Sequence, residues 1–156
     1  MKIKKANTDD LLTVKNIASK TISAVYPHYY PCGAVDFFLE HHSIEKIKRD
    51  IESGNVYICV NEADCAVGTV TICANSINRL FVLPEYQHRG FGRALLDFSE
   101  TLIASVSDTI RLDASLPAKA IYLKRGYAAT EFHSIKTDNG DFLCYDIMEK
   151  KYGCGF

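Results

Sequence analysis

The stretch Gln87-His88-Arg89-Gly90-Phe91-Gly92-Arg93 decides how this chain is expected to fold. An apolar, strand-like segment precedes it and is ended by Pro84, and a segment with apolar residues at helical spacing follows it. The pattern therefore predicts a strand, a short loop and the first turn of a helix. The free N–H groups of such a turn carry partial positive charge, so they attract anions.

The residue types of this loop fit a diphosphate. Gly90 and Gly92 leave the main-chain N–H groups free of side chains, and Arg89 and Arg93 add donors that are charged at any cellular pH. Two other phosphate motifs do not fit, because Leu95 replaces the third glycine of the dinucleotide fingerprint and the Walker Gly-Lys-Ser/Thr is absent. The sequence thus predicts a phosphate site of a different kind.

Outward from the loop, hydrophobic patterning gives the order of elements. Before the loop it predicts a strand from Ile3, a helix starting at residues 7–10, a helical region over 35–52 in one or two pieces, and an antiparallel meander over 56–60, 67–73 and 77–82. After the loop it predicts a helix over 90–104, a strand over 109–114, a helix over 117–124, and a hairpin of 127–136 with 142–149. The predicted fold class is α+β, one domain over 1–156 with a mixed, mostly antiparallel sheet of about six or seven strands and helices on both faces.

Two finer expectations concern side chains that should be buried. Phe91, Leu95, Phe98 and Leu102 recur at helical spacing and are expected to form the buried stripe of their helix. No two cysteines are spaced Cys-x-x-Cys, so a metal site is not expected, and the cysteines are predicted to be small, buried, reduced thiols. They are Cys32, Cys59, Cys65, Cys73, Cys144 and Cys154.

Composition bears on partners and location. The 156 residues carry a formal net charge of −1, without the basic excess that is typical of nucleic-acid binding. No run approaches the roughly 20 apolar residues that span a bilayer, and the N-terminus lacks the apolar segment of a secretory signal. The sequence therefore predicts a cytoplasmic protein with neither nucleic acid nor membrane as partner.

Two segments resemble the GNAT acetyltransferase superfamily. Residues 77–96 resemble its acetyl-CoA signature, Q/R-x-x-G-x-G/A, with Gln87, Gly90 and Gly92 at the defined positions. Residues 115–127 resemble its later helix, N-x-x-A-x-x-x-Y-x-x-x-G-F, in which Tyr122 matches directly and Ser115 stands where many members have Asn.

The resemblance implies an N-acetyltransferase of GNAT fold that uses acetyl-CoA as co-substrate and no metal. Tyr122 is then the general acid that protonates the leaving thiolate, and a main-chain N–H near the end of the fourth strand stabilises the oxyanion. The residues expected to contact acetyl-CoA are Leu80, Phe81, Val82, Gln87, His88, Arg89, Gly90, Phe91, Gly92, Arg93, Ser115 and Tyr122.

The general base stays open, because the strand residues Ser76 to Leu80 include no acid. The candidates are Asp113, a water relayed through Asn78 or Ser76, and His28, His41 or His42. The acceptor is expected to be an amine of a small molecule or a protein, bound between residues 26–42 and the final hairpin. Its pocket walls are predicted to include Tyr29, Tyr30 and Phe37, with Phe38 and Tyr145, while Asp36 and Glu40 attract its cationic amine.

Two alternatives to an acetyltransferase are compatible with the sequence. The first is a non-catalytic acyl-CoA-binding regulatory domain of the same fold, against which the presence of Tyr122 argues. The second is an unrelated nucleotide-binding module. Both a monomer and a homodimer are compatible with the sequence.

Overall fold

The computed structural model describes residues 1–152, so Cys154 lies outside the described residues. The strands are β1 (Lys2–Lys5), β2 (Val56–Val60), β3 (Ala66–Cys73), β4 (Ser76–Val82), β5 (Thr109–Ser115), β6 (Ala128–Lys136) and β7 (Phe142–Lys151). The helices are α1 (Leu11–Val25), α2 (Cys32–His41), α3 (Ile44–Glu52), α4 (Phe91–Ala104) and α5 (Leu116–Lys124). Within residues 1–152, no helix is both long and apolar enough to cross a membrane.

All seven strands form one sheet in the order β1-β2-β3-β4-β5-β7-β6. Every neighbouring pair is antiparallel except β4 and β5, which run parallel. The predicted meander, the closing hairpin and the mixed α+β sheet are confirmed. The parallel pair is short, because β4 and β5 are in register only at Ser76 with Arg111 and at Ile77 with Leu112. Beyond Ile77 the two strands part, and this opening is the feature of the fold that positions the site.

Helices cover both faces of the sheet, because successive strand residues point to opposite sides. On β2, Ile58 packs in one cluster with Val14 of α1 and Ile47 of α3. The next residue, Cys59, belongs to the cluster that contains Leu95 of α4. The helices α1 and α3 therefore lie on one face and α4 on the other.

The helix starts have local causes. Asn7 forms a capping box, since its side chain accepts from Asp9 N while Asp10 accepts from the Asn7 N–H. This cap opens a 3₁₀ turn that leads into α1. The helical region predicted over 35–52 is two helices, because Ser43 starts a new one by accepting from Lys46 N at 3.3 Å. Its first helix begins at Cys32 rather than Val35.

Two expectations about burial are wrong in part. On α4, Leu95 is buried but Leu102 is 39% exposed, because the buried face runs through Leu96, Ser99, Glu100 and Ile103 instead. The Glu100 carboxylate can be buried because it accepts hydrogen bonds from four side chains, those of Arg125, Tyr127, Lys150 and Tyr152.

The cysteines are free thiols wherever the structure describes them, but they are not all buried. Only Cys59 is fully buried and Cys144 is half-buried, whereas the other three are exposed. The exposed three lie at the ends of elements or in a turn: Cys32 is the first residue of α2, Cys65 follows a turn and Cys73 ends β3.

Candidate functional site

A cavity of about 1210 Å³ opens where β4 and β5 part. A β-bulge in β4 helps to cause the separation: Thr69 of β3 faces Phe81 and Thr71 faces Asn78, so β4 has one residue more than β3 between these pairs. The two β4 residues in the bulge are Arg79 and Leu80, and the φ of Arg79, 47°, is in the left-handed region. Bulges bend a strand and re-aim its side chains, so this one turns β4 away from β5.

The loop before α4 has the main-chain shape of an anion site. His88 and Gly90 have φ values of 60° and 89°, and such left-handed positions within a loop turn N–H groups toward one side. The Gln87 amide fastens the loop by donating from Nε2 to the Val82 carbonyl at 3.0 Å. A depression of about 450 Å³ lies over the loop and is lined by His88, Arg89, Gly90, Gly92 and Arg93.

Gly90 and Gly92 suit this loop for different reasons. At Gly90 the backbone itself favours glycine, because φ is 89°. At Gly92 it does not, and an added Cβ would meet only Val82 Cγ2 at 3.8 Å, an ordinary contact. Packing therefore does not require glycine at position 92. The absent side chain leaves the start of α4 open, which fits a diphosphate resting on its N–H groups.

Tyr122 of α5 lies on the wall of the cavity. Its side chain is 7% exposed, its ring lies 5.6 Å from that of Tyr127, and its hydroxyl forms no hydrogen bond with any residue in 1–152. Burial, and then the neighbouring Tyr26, raise its pKa, so it keeps its proton. Ser115 lines the same wall and accepts a hydrogen bond from the Tyr26 hydroxyl at 3.3 Å.

Two of the candidates for the general base, Asp113 and Asn78, lie exposed on opposite edges of the opening. Asp113 of β5 forms no ion pair with the described residues, and its charge affects two other residues that line the cavity. Burial raises the pKa of Tyr145 and Asp113 raises it further. Burial lowers the pKa of His41, and Asp113 partly offsets this. Asp113, Tyr145 and His41 thus line the same cavity.

His42 also lines the cavity, but its geometry is unsuited to a base. Arg79 Nε donates to His42 Nδ1 at 3.2 Å, and because arginine has no acceptor the remaining proton of the neutral ring must be on Nε2. Burial, followed by the charge of Arg79, lowers the His42 pKa to about 3. His42 is thus a neutral hydrogen-bond donor, with no free lone pair to accept a proton.

Arg79 is a residue that the sequence interpretation missed. Its side chain is 7% exposed, and its Nη1 contacts both Asp50 Oδ2 and Thr71 Oγ1 at 2.8 Å, so it joins β4 to α3, to β3 and to His42. The available signal was a lone charge inside the apolar strand 76–82. A charged residue at such a position needs buried partners, which a single sequence does not locate.

We expect Arg79→Met to lower the free energy of unfolding by about 2 kcal/mol, measured by urea denaturation. Breaking a buried ion pair typically costs about 3–5 kcal/mol, and we reduce this because Asp50 is 34% exposed. The His42 pKa, followed by NMR, should rise toward its ordinary value.

The matched control is Arg111→Met on β5. Arg111 is 41% exposed and lies 3.7 Å or more from Glu131 and Glu149, so its loss should change stability by less than about 0.5 kcal/mol. Equal stability of the two variants would contradict the role given to Arg79.

Of the five residues predicted to wall the acceptor pocket, the structure brings three to the cavity, Phe37, Phe38 and Tyr145. The Tyr29 side chain is 52% exposed and lies outside the cavity lining. Tyr30 is buried, and its hydroxyl donates to the Cys144 carbonyl and accepts from Leu116 N, each at 2.8 Å. The structure therefore uses Tyr30 to fasten α5 to β7.

Of the other residues predicted for the site, some line the cavity or the depression over the loop and some do not. The cavity lining includes Leu80, Phe81, Val82, Gln87, His88, Gly92, Arg93 and His41. Arg89 and Gly90 line only the depression over the loop. Outside both linings are His28, Asp36, Glu40, Ser76 and Phe91. Across residues 1–152, no group of three or more His, Cys, Asp or Glu is placed to hold a metal ion.

Comparison with known proteins gives one sequence family and many similar structures. Residues 25–145 match the family described as an acetyltransferase (GNAT) domain. A search of curated protein sequences gave no match. A GCN5-related N-acetyltransferase from Rhodopseudomonas palustris superposes with a TM-score of 0.87 at 22% identity, over 96% of this chain and 94% of the other.

Two further solved structures are similar over nearly their whole length. The PaiA N-acetyltransferase from Thermoplasma acidophilum, solved in complex with coenzyme A, gives a TM-score of 0.73 at 25% identity, over 97% of this chain and 98% of the other. The ribosomal-protein-S18-alanine N-acetyltransferase from Escherichia coli gives 0.71 at 17% identity, over 99% and 96%. The two structures that are 22% and 17% identical to this chain show that it shares their fold.

Proposed function

The chain belongs to the GNAT acetyltransferase family, and on that premise we propose that it transfers the acetyl group of acetyl-CoA to a primary amine by direct attack on the thioester. The observation that carries the proposal is the loop at residues 87–93, where left-handed main chain and an unobstructed Gly92 meet the opening between β4 and β5. The PaiA enzyme of similar fold, which was solved with coenzyme A, supports the same choice of co-substrate.

In this proposal the diphosphate lies on the N–H groups around Gly90 and Gly92, with Arg89 and Arg93 beside it. Residues 80–82 of β4 have no register with β5, so main-chain groups on that edge are available to the co-substrate. Acetyl-CoA supplies an activated acetyl group on a thioester. A main-chain N–H near Leu80 to Val82 stabilises the negative charge that develops on the carbonyl oxygen.

Three side chains then handle protons and orientation. Tyr122 holds its proton at working pH and donates it to the departing sulfur. Asp113, the cavity-lining carboxylate without an ion pair, accepts a proton from the amine directly or through a water at Asn78. His42 stays neutral and donates from Nε2. No covalent enzyme intermediate is required.

Acetyl-CoA at about 100 times its Kd should raise the melting temperature by roughly 5–10 °C. Ligand binding to the folded state alone contributes about 2.7 kcal/mol at that concentration, and about 2–4 °C per kcal/mol is usual for a chain of this size. Differential scanning fluorimetry and calorimetry measure it. Absence of both a shift and a heat of binding would contradict the proposal.

Two controls separate the alternatives. ATP tested in competition with CoA distinguishes a general nucleotide-binding module, which would bind both. A screen of amines that follows the free CoA thiol distinguishes a non-catalytic acyl-CoA-binding domain, which would show the thermal shift but release no thiol.

A further inference from the structure

One side of the cavity is bounded by what we call the α3 wall, consisting of Lys46, Arg49 and Asp50 of α3 together with Arg79 of β4. The three α3 residues are spaced i, i+3 and i+4, so they share one helix face. Ile47 and Ile51 are buried in the core cluster beneath them. The core contacts thus fix which face of α3 is presented to the cavity.

The α3 wall carries excess positive charge. Its one carboxylate, Asp50, is paired with Arg79 at 2.8 Å. Lys46 and Arg49 form no ion pair with any described residue; Lys46 contacts only the His41 ring, at 3.4 Å between Nζ and Nδ1. Two cations that form no ion pair therefore face the cavity, although Arg49 is close enough to Glu45, one turn earlier on α3, to help lower the pKa of that carboxyl.

The two histidines at this end respond to the same charge. Burial lowers the pKa of His41, and the next largest causes are Lys46 and Arg79. Burial and then Arg79 lower the pKa of His42 to about 3, with a further contribution from Lys46. Neutral histidines add no charge to the wall, and its net positive charge is that of Lys46 and Arg49.

The β5 side of the opening contributes a carboxylate to the cavity. Among the cavity-lining residues the carboxylates are Asp50 and Asp113. Because Asp50 is engaged by Arg79, Asp113 is the carboxylate left to attract a cationic amine. Asp36 and Glu40, which the sequence suggested for this role, do not line the cavity.

We infer that the acceptor is an amine that also carries an oxyanion, a carboxylate or a phosphate, which Lys46 and Arg49 bind while Asp113 faces the amine. The inference rests on the proposed acetyl transfer and specifies its substrate class. Lysine and arginine side chains recognise such oxyanions by charge-assisted hydrogen bonds. A polyamine without an acidic group would instead place positive charge against Lys46 and Arg49.

The test compares amines that differ only in the acidic group. The pairs are β-alanine with β-alaninamide, 4-aminobutyrate with 4-aminobutyramide, ethanolamine phosphate with ethanolamine, and a Ser-Asp peptide amide with its Ser-Asn counterpart. We expect kcat/KM for the best acidic member to exceed that of its neutral partner by about 10-fold or more. The free amino acids, the phosphate and the peptide identify which source supplies the oxyanion.

Variants assign the preference to the wall. In Lys46→Ala/Arg49→Ala the advantage of the acidic member should disappear, and in Lys46→Glu/Arg49→Glu it should invert, while KM for acetyl-CoA stays unchanged. The matched control is Lys48→Ala, because Lys48 lies on the same helix, pairs with Glu52 at 3.9 Å and does not line the cavity. It should retain the preference.

A binding measurement keeps the inference separate from the proposed function. The same pairs are added to CoA-saturated protein, and the additional thermal shift is recorded for wild type and variants. Acidic members that bind through Lys46 and Arg49 without any acetylation would support the anion site and overturn the proposed function. Neutral members that bind and react as well as the acidic ones, or a Lys48→Ala variant that loses the preference equally, would overturn the inference.

Discussion

Gly92→Glu is expected to lower the affinity for acetyl-CoA at least 100-fold, which corresponds to roughly 3 kcal/mol, measured by calorimetry. The new side chain would occupy the space over the start of α4 and set a negative charge beside the phosphates. Position 92 lies in the first turn of α4, which begins at Phe91. An acid in a helix's first turn is favourable, so the folded protein should lose little stability or gain some.

Because Gly92→Glu should lower the affinity for acetyl-CoA without much loss of stability, weaker binding by this variant can be assigned to the site and not to unfolding. An added Cβ at position 92 meets only Val82 Cγ2 at 3.8 Å, so a Gly92→Ala variant should fold normally and bind acetyl-CoA better than Gly92→Glu. Thr101→Glu is the control for charge, since Thr101 is exposed on the same helix about 13 Å farther along its axis, beyond one Debye length. A folded Gly92→Glu variant with wild-type affinity would show that the phosphates bind elsewhere.

Much of the fold could be predicted because its local signals agree with one another. The strand pattern of residues 56–82, the Asp138-Asn139-Gly140 turn and the break at Pro84 each specify structure within a few residues. The least accurate predictions concern which side of an element is buried. Leu102 was expected on the buried face of α4 because of its spacing. Which face of α4 is buried depends on residues far along the chain, such as Lys150, that contact Glu100.

The candidate site also has one part that local sequence predicts and one part that it does not. The loop that we propose binds the phosphates is local, so residues 87–93 could be recognised directly, and all of them except Phe91 line the cavity or the depression over the loop. The part of the cavity proposed to bind the acceptor is formed by α2, α3, β4 and β5. No local pattern indicates that Arg79 pairs with Asp50, or that the Tyr30 hydroxyl donates a hydrogen bond to β7. Aromatic composition suggested a pocket wall, but the register of the helices decided which rings reach the cavity.

Tyr122→Phe should lower kcat by about 10²-fold, the usual scale for loss of a general acid, with little change in affinity for acetyl-CoA. The phenol hydroxyl has no hydrogen-bond partner within residues 1–152, so its removal leaves no buried group unsatisfied and the variant should be as stable as wild type. A thiolate with a conjugate acid of pKa about 8.5 can leave partly unaided, so the effect should be larger with poor acceptors.

The pH dependence of the same variant gives a second criterion. Burial raises the pKa of Tyr122, so the phenol is protonated below that raised value and contributes no limb to the rate profile in the usable range. The profiles of wild type and Tyr122→Phe should therefore have the same shape and differ in height. A high-pH limb that vanished with the hydroxyl would mean that Tyr122 titrates within that range.

Tyr127→Phe is the matched control, because its ring lies 5.6 Å from that of Tyr122 but its hydroxyl donates to Glu100 at 3.0 Å and it does not line the cavity. It should lose about 2 kcal/mol of stability, a typical value for a hydrogen bond to a charged group, and keep the wild-type kcat. The two tyrosines thus separate a chemical role from a packing role within one cluster. Wild-type turnover by Tyr122→Phe across several acceptors, with chemistry shown to be rate-limiting, would remove Tyr122 from proton transfer and leave its ring as part of the cavity wall.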